Sequence, residues 1–184
     1  SFPWLNRQKL DGIDVKVFDP DPETMQGSVE RIRKLITPRT RVIQVSHITA
    51  PTGILFDVKA IASLARERGI WFHVDGAQSA GMLPVDLRAI GCDSYATSGH
   101  KWMGGPRGTG ILFIAKDRMD EVDCSHLGGH SGSEYELPGG ITYELSARRH
   151  EYGTRNTELV EGLRVAMEIQ NSIGLERIEA YGSG

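Results

Sequence analysis

The stretch IWFHVDGAQSAGMLPVDLRAIGCDSYATSGHKWMGGPRGTGILF, residues 70–113, decides the fold. It holds two short apolar or β-prone runs, 70–74 and 94–97, each bounded by turn residues. Runs of this length and composition read as buried strands rather than helices. Asp75 closes the first run and Gln78 follows three residues later. Lys101 stands in Ser98-Gly99-His100-Lys101, just past the second run. Each polar group therefore falls at or beyond the carboxyl end of a strand, the edge where open α/β sheets bind ligands.

Working outward, 41–47 reads as a further strand and 49–53 as the loop at its carboxyl end. Asp57 is placed to cap a helix over 57–68, whose apolar stripe is Val58, Ile61, Leu64 and Ala65, with Gly69 as its left-handed stop. Strand 41–47, helix 57–68 and strand 70–74 make a βαβ unit with parallel strands and a right-handed crossover. A short helical piece is expected over 85–90. Only a short Gly/Pro-rich link separates Thr97 from the next strand, 110–114. A parallel crossover needs a longer connection, so 110–114 should run antiparallel and the sheet should be mixed.

Toward the amino terminus, 3–10 reads as a helix stopped by Asp11-Gly12, 15–18 as a short strand and 19–22 as a turn. Ser28 is a plausible N-cap for a helix over 29–36 that Pro38 ends. Beyond the sheet, 116–122 is a short helix and 125–142 an irregular Gly/Ser-rich loop. Thr157 can cap a helix over 158–173 with a stripe of Leu159, Leu163, Ala166, Met167 and Ile169, stopped by Gly174. The fold class expected is α/β, a three-layer α/β/α sandwich around a mainly parallel, mixed sheet.

Length fits one domain spanning 1–184. A hydrophobic content of 39% and a net charge of −3 give no reason to expect nucleic acid or an anionic membrane as partner. No apolar run approaches the roughly 20 residues that span a bilayer. No signal peptide is visible, and two cysteines, Cys92 and Cys124, make no disulfide framework, so a cytoplasmic setting is expected. His47, His73, Cys92 and Cys124 match no zinc-ligand spacing. The run 104–110 is glycine-rich but lacks the GxGxxG spacing and a following helix, so it reads as a tight turn rather than a phosphate cradle.

A carboxylate and an amine at one sheet edge suit a cofactor that needs an anionic partner for a ring nitrogen and an amine for an aldehyde. Pyridoxal 5′-phosphate (PLP) needs both. The sequence resembles the class V aminotransferase family of PLP enzymes, which includes cysteine desulfurases and isopenicillin-N-epimerase-like proteins. The resemblance rests on His73-Val74-Asp75-Gly76-Ala77-Gln78, on Ser98-Gly99-His100-Lys101 followed by Gly104-Gly105-Pro106-Arg107-Gly108, and on 149–156, which looks like the family's R-x-E-x-G-T-x-N block.

The resemblance implies a fold-type I large domain and a role for each matching residue. Lys101 forms the Schiff base and moves the Cα proton; the plain alternative is a surface lysine in a glycine loop. Asp75 pairs with the pyridine nitrogen, or merely caps the Gly76 turn. Gln78 bonds the phenolic oxygen, or is an exposed helix-start residue. Ser98 and His100 hold phosphate, and Thr154 reaches the phosphate of a neighbouring subunit, which implies a homodimer acting on an amino acid. No role follows for Arg149 or Glu151. His47 stands where desulfurases usually carry Asn, and 47–52 looks more like the epimerase-like branch. His47 could equally be a packed strand-end residue.

Class V enzymes are longer chains, and 175–181 reads as a helix just beginning. An internal piece of the large domain is therefore expected, without the amino-terminal segment or the small carboxyl-terminal domain. The reaction is left open among transamination, epimerisation and cysteine desulfuration. A non-catalytic PLP-fold binding module and a metal-dependent hydrolase built on Asp75 and the histidines are the rivals from other classes.

Overall fold

The computed structural model describes residues 2–135 and 139–182. Its centre is a four-stranded sheet of β1 (Val42–Ser46), β2 (Trp71–Asp75), β3 (Ser94–Ser98) and β4 (Gly110–Ile114), in that spatial order. The first three strands are parallel and β4 is antiparallel to β3, as the short 98–109 link requires. In register, Ser46 lies beside Asp75 and Asp75 beside Ala96. Three parallel strands thus end together at one edge.

Strand alternation sorts the two faces. Ile43, Val45, Phe72, Val74 and Tyr95 point to one face and are buried. They pack with Val29 and Ile32 of α2 (Met25–Leu35) and with Val58, Ile61, Leu64 and Ala65 of α3 (Val58–Glu67). Full burial of such side chains stabilises by about 1.5–3 kcal/mol each, which makes this layer the main source of stability. The opposite face carries Gln44, Ser46, Trp71, His73, Asp75 and Ser94. There Trp4 of α1 (Phe2–Asp11) donates its indole N–H to Gln44 Oε1.

Several local signals act as read. Asp57 Oδ1 accepts from Ala60 N at 2.9 Å and starts α3, and Gly69 follows it with φ +62°. The 85–90 piece shortens to α4 (Leu87–Ile90), capped by Asp86. Residues 116–121 form a 3₁₀ turn. The carboxyl-terminal helices are α5 (Thr157–Ile173) and α6 (Leu175–Gly182), separated by Gly174.

Others differ. Segment 15–18 forms no strand: Val17 is 74% exposed, and a cavity of about 930 Å³ separates this segment from β1, so no ladder can close. α2 starts earlier than the Ser28 reading. Asp21 Oδ1 accepts from the amides of Glu23 and Thr24, and Thr24 then caps through Gly27 N. Ser28 is buried inside the helix, its Oγ accepting from Asp21 N at 2.8 Å. Asn156 rather than Thr157 caps α5, through Leu159 N. Within 125–142 lies a hairpin of β5 (Gly132–Tyr135) and β6 (Ile141–Tyr143) where an irregular loop was expected. The α5 stripe is only partly covered, with Leu163 buried but Ile169 57% exposed. No helix among the described residues is long and apolar enough to cross a membrane.

Candidate functional site

The site begins where β2 stops. Gly76 N continues the ladder to Ala96 O at 2.7 Å, and Asp75 Oδ1 turns back to accept from Ala77 N at 3.0 Å. The chain then coils tightly, with Ser79 N and Ala80 N both donating to Gly76 O. Only glycine fits at 76, because a Cβ there would lie 2.0 Å from the Tyr95 ring. The carboxylate of Asp75 is thus fixed at the edge through one oxygen, and Oδ2 makes no hydrogen bond among the described residues.

The second loop leaves β3 at Ser98. Gly99 N donates to Thr109 O at 2.9 Å, and Gly105 N donates back to Gly99 O at 2.8 Å, closing a compact turn around His100 and Lys101. α5 braces it from behind: Leu163 lies against Gly99 and Gly105, and Gln170 Nε2 donates to Trp102 O. The two loops are joined directly, since Trp102 Nε1 donates to Gln78 Oε1 at 2.9 Å. A Cβ at Gly81 would lie 2.6 Å from Met103 N, so the Asp75 and Lys101 loops run in backbone contact.

The free groups are informative. Among the described residues, Lys101 Nζ, Ser98 Oγ and the His100 ring enter no hydrogen bond or ion pair. His100 and Lys101 are exposed. Gln78 uses its carbonyl oxygen on Trp102, which leaves its amide N–H groups to donate outward. One edge therefore offers an amine, a carboxylate oxygen, an amide donor, a hydroxyl and an imidazole, all unpaired. This donor set fits PLP: an aldehyde, a ring nitrogen, a phenolic oxygen and a phosphate each find a chemically suited group.

Thr154 stands apart. It is exposed, and no hydrogen bond among the described residues links it to Asp75, Gln78, Ser98, His100 or Lys101. The block around it is structural. Arg149 is buried, its Nη1 donating to Asp120 Oδ1 at 2.7 Å and its guanidinium lying 5.1 Å from the Tyr143 ring centroid. Cys124 Sγ donates to Arg149 O at 3.3 Å. Antiparallel β4 delivers the chain to the amino end of β3, with Ile114 opposite Ser94, and Asp123 shares a cavity with Val42 and Trp71 at the amino ends of β1 and β2. This places Cys124 by the sheet edge remote from Lys101.

The sequence reading left His47 open between site and core. The structure buries it at the end of β1, with its amide donating to Asp75 O at 2.8 Å and Nδ1 lying 3.2 Å from Tyr95 Oη. Burial holds its pKa below the ordinary histidine value. Tyr95 and Ser79 are buried beneath the Asp75 turn, and nothing in their local sequence marks them for that place. Tyr95 Oη lies 2.6 Å from Ser79 Oγ, and burial pushes the phenol up to about 12. Among the described residues no three His, Cys, Asp or Glu side chains are grouped to hold a metal ion.

Residues 1–183 match the family described as aminotransferase class V. The chain is 37% identical over 183 residues to a probable cysteine desulfurase of Methanothermobacter thermautotrophicus, covering 98% of this chain and 44% of that protein. It is 34% identical over 181 residues to a cysteine desulfurase of Pectobacterium atrosepticum, again covering 98% and 44%. The apo cysteine desulfurase of Thermococcus onnurineus NA1 superposes with a TM-score of 0.85 at 28% identity, covering 97% of this chain and 44% of that one. The cystine C-S lyase C-DES, in a mutant with glycine covalently linked to its PLP cofactor, superposes with a TM-score of 0.77 at 28% identity over 83% of this chain and 41% of that one. The chain thus spans under half the length of these relatives. All four carry names of the desulfurase or C-S lyase kind.

Proposed function

Because the chain belongs to the class V aminotransferase family of PLP-dependent enzymes, we propose that it holds PLP at the carboxyl edge of β2 and β3 and serves chemistry at the Cα or Cβ of an amino acid. The observation that carries this reading is the set of unpaired groups on one edge: Lys101 Nζ, Asp75 Oδ2 and the Gln78 amide. When bound, PLP supplies an electron sink for negative charge developing at Cα.

Each residue then has one task. Lys101 would supply the amine that holds the cofactor aldehyde, and the same amine would carry a proton to or from the substrate Cα. Asp75 accepts from the ring N–H and keeps that proton in place; the Ala77 N–H holds its other oxygen. Gln78 donates to the phenolic oxygen, aimed by Trp102. Ser98 and His100 donate to phosphate. Thr154 serves the phosphate of a second copy, which makes the working unit a homodimer. Its exposure and its lack of ties to its own edge support that assignment.

Within the family, sulfur removal from cysteine is the reading the relatives favour. It needs a sulfur-accepting nucleophile. Cys124 does not fill that role, because it lies by the opposite edge and donates to Arg149 O.

The test is chemical. Incubation with PLP, reduction by borohydride and peptide mapping should place the label on Lys101. A label on another lysine, or none, would overturn the proposal.

A further inference from the structure

The face of the sheet that carries Asp75 holds a polar cluster of its own. His73 and Asp75 stand two residues apart on β2 and so share that face, and Ser94 lies beside His73 in register on β3. Trp71 Nε1 donates to Ser94 Oγ at 2.9 Å, and His73 Nδ1 lies 2.8 Å from the same oxygen. An indole N–H can only donate, and the Ser94 hydroxyl has one proton to give. Among the described residues, His73 Nδ1 is the one acceptor within hydrogen-bond reach of that proton. Ser94 is 4% exposed, so solvent offers little alternative. With the ring proton on Nδ1, both neighbours would donate to Oγ, and a buried hydroxyl proton would meet no acceptor, which is the costly case. Ser94 therefore donates to Nδ1, and the ring carries its own proton on Nε2. That nitrogen is not among the buried atoms that lack a partner, and His73 lines an open cavity where water can accept from it.

The charges around the ring pull the other way. Burial disfavours an imidazolium, and the Asp75 carboxylate partly opposes that effect. Glu121 and Asp123 line the same cavity, with Glu121 paired to Arg118, whose guanidinium lies 5.0 Å from the Trp71 ring centroid. β1 and α1 bring only the uncharged Gln44 and Trp4 to it. A protonated His73 would find its counter-ion in Asp75, whose Oδ2 makes no hydrogen bond among the described residues.

We propose that Ser94 is a positioning residue for the Asp75 site: its hydroxyl, oriented by the Trp71 indole, occupies His73 Nδ1 and holds the ring as the neutral Nε2–H tautomer, so that Asp75 is not drawn into an ion pair inside the chain. The carboxylate then stays available to a ligand N–H at the sheet edge. The consequence for PLP rests on the proposed function; the tautomer does not.

Long-range ¹H–¹⁵N correlation spectra of the uniformly ¹⁵N-labelled chain read the tautomer without any ligand, and His73→Gln identifies the signals. The native ring should show an unprotonated Nδ1 and a protonated Nε2. In Ser94→Ala the Nδ1 lone pair is released, and the titration midpoint of the ring should rise by about one pH unit, the worth of one hydrogen bond. Ser94→Thr, which restores a hydroxyl, should return it. An Nδ1–H ring in the native chain, an unmoved midpoint in Ser94→Ala, or a midpoint that stays raised in Ser94→Thr would overturn the proposal. With PLP added, Ser94→Ala should retain the cofactor about threefold less well than the native chain at about pH 5.5, where the released ring takes up a proton, and equally well at about pH 8. Equal retention at both pH values, in a variant still labelled at Lys101, overturns the link to Asp75. An unlabelled Lys101 in a native chain with the expected tautomer counts against the functional reading instead.

Discussion

The carboxyl edge of the sheet and the segment 124–156 both carry family blocks, yet they dispose of their polar groups in opposite ways. At the edge the scaffold is satisfied from within. Tyr95 links His47 to Ser79, Trp102 holds Gln78, and Ala77 N holds one oxygen of Asp75. What remains unpaired there, among the described residues, is the set around Lys101 proposed to hold the cofactor. In the later segment the charged group is itself the scaffold. Arg149 is occupied by Asp120 and the Tyr143 ring, Ser131 Oγ donates to Glu151 O, and Arg155 lies 4.0 Å from the Tyr152 ring centroid. Among the described residues, the exposed side chains of Glu151 and Thr154 in that block make no hydrogen bond or ion pair. A block of matching residues marks a family; the unpaired groups within it mark the site.

Four measurements would break or sharpen this contrast. The largest effect is expected at Lys101. Lys101→Ala should abolish the borohydride label while leaving the far-ultraviolet circular dichroism unchanged, because its exposed side chain pairs with nothing described. Asp75→Asn should still be labelled at Lys101, since the amine is intact. Loss of folding in Lys101→Ala would mean that the lysine is scaffold after all.

Next comes the packed turn. Gly76→Ala would set a Cβ 2.0 Å from the Tyr95 ring, which has no room to withdraw inside the core. A cost of about 3 kcal/mol or more is expected from urea unfolding. A near-native midpoint would show that the turn is softer than its hydrogen bonds imply.

The third effect is a slope. Burial depresses the pKa of both His47 and His73, with Asp75 partly opposing the shift at His73. The unfolded rings take up protons near the ordinary value of about 6.5, whereas the folded rings resist until lower pH. Their contribution is therefore whole above about pH 6.5 and is lost as the pH falls toward the folded-state values. Urea midpoints at about pH 7.5 and about pH 5 should show this loss, and His47→Gln should flatten it. An unchanged slope in that variant would place the pH dependence elsewhere.

The smallest effect is expected in the other region. A Cβ at Gly129 would meet nothing within 4 Å, and its φ is not positive. Gly129→Ala should shift stability by no more than about 0.5 kcal/mol in the same urea assay. A cost comparable to that of Gly76→Ala would erase the distinction between the two regions.

Much of this arrangement is readable from short-range rules. Asp57 before an apolar stripe and Gly69 after it delimit α3, because a cap and a left-handed stop involve only neighbouring residues. The short link after Ser98 forces β4 to return antiparallel, because no crossover fits. Asp75, Gln78 and Lys101 are visible for the same reason: each lies at a strand end or three residues beyond one. These rules fail where two nearby groups could do the same job. Thr24 and Ser28 are both capable caps, and the choice falls to Thr24 because Asp21 N takes the Ser28 hydroxyl. The 15–18 segment has a strand pattern but no edge within reach.

The chain's own order of residues thus dictates the strand ends, the parallel pair and its antiparallel neighbour, and the identity of the groups at their shared edge. Folding alone settles which of those groups are left unpaired. His47 meets Tyr95 across 48 residues and Tyr95 meets Ser79 across 16, and no periodicity connects such positions. A hydrogen bond forms between atoms that come within about 3 Å of each other. For residues so far apart in sequence, that closeness exists only once β1, β2 and β3 stand side by side.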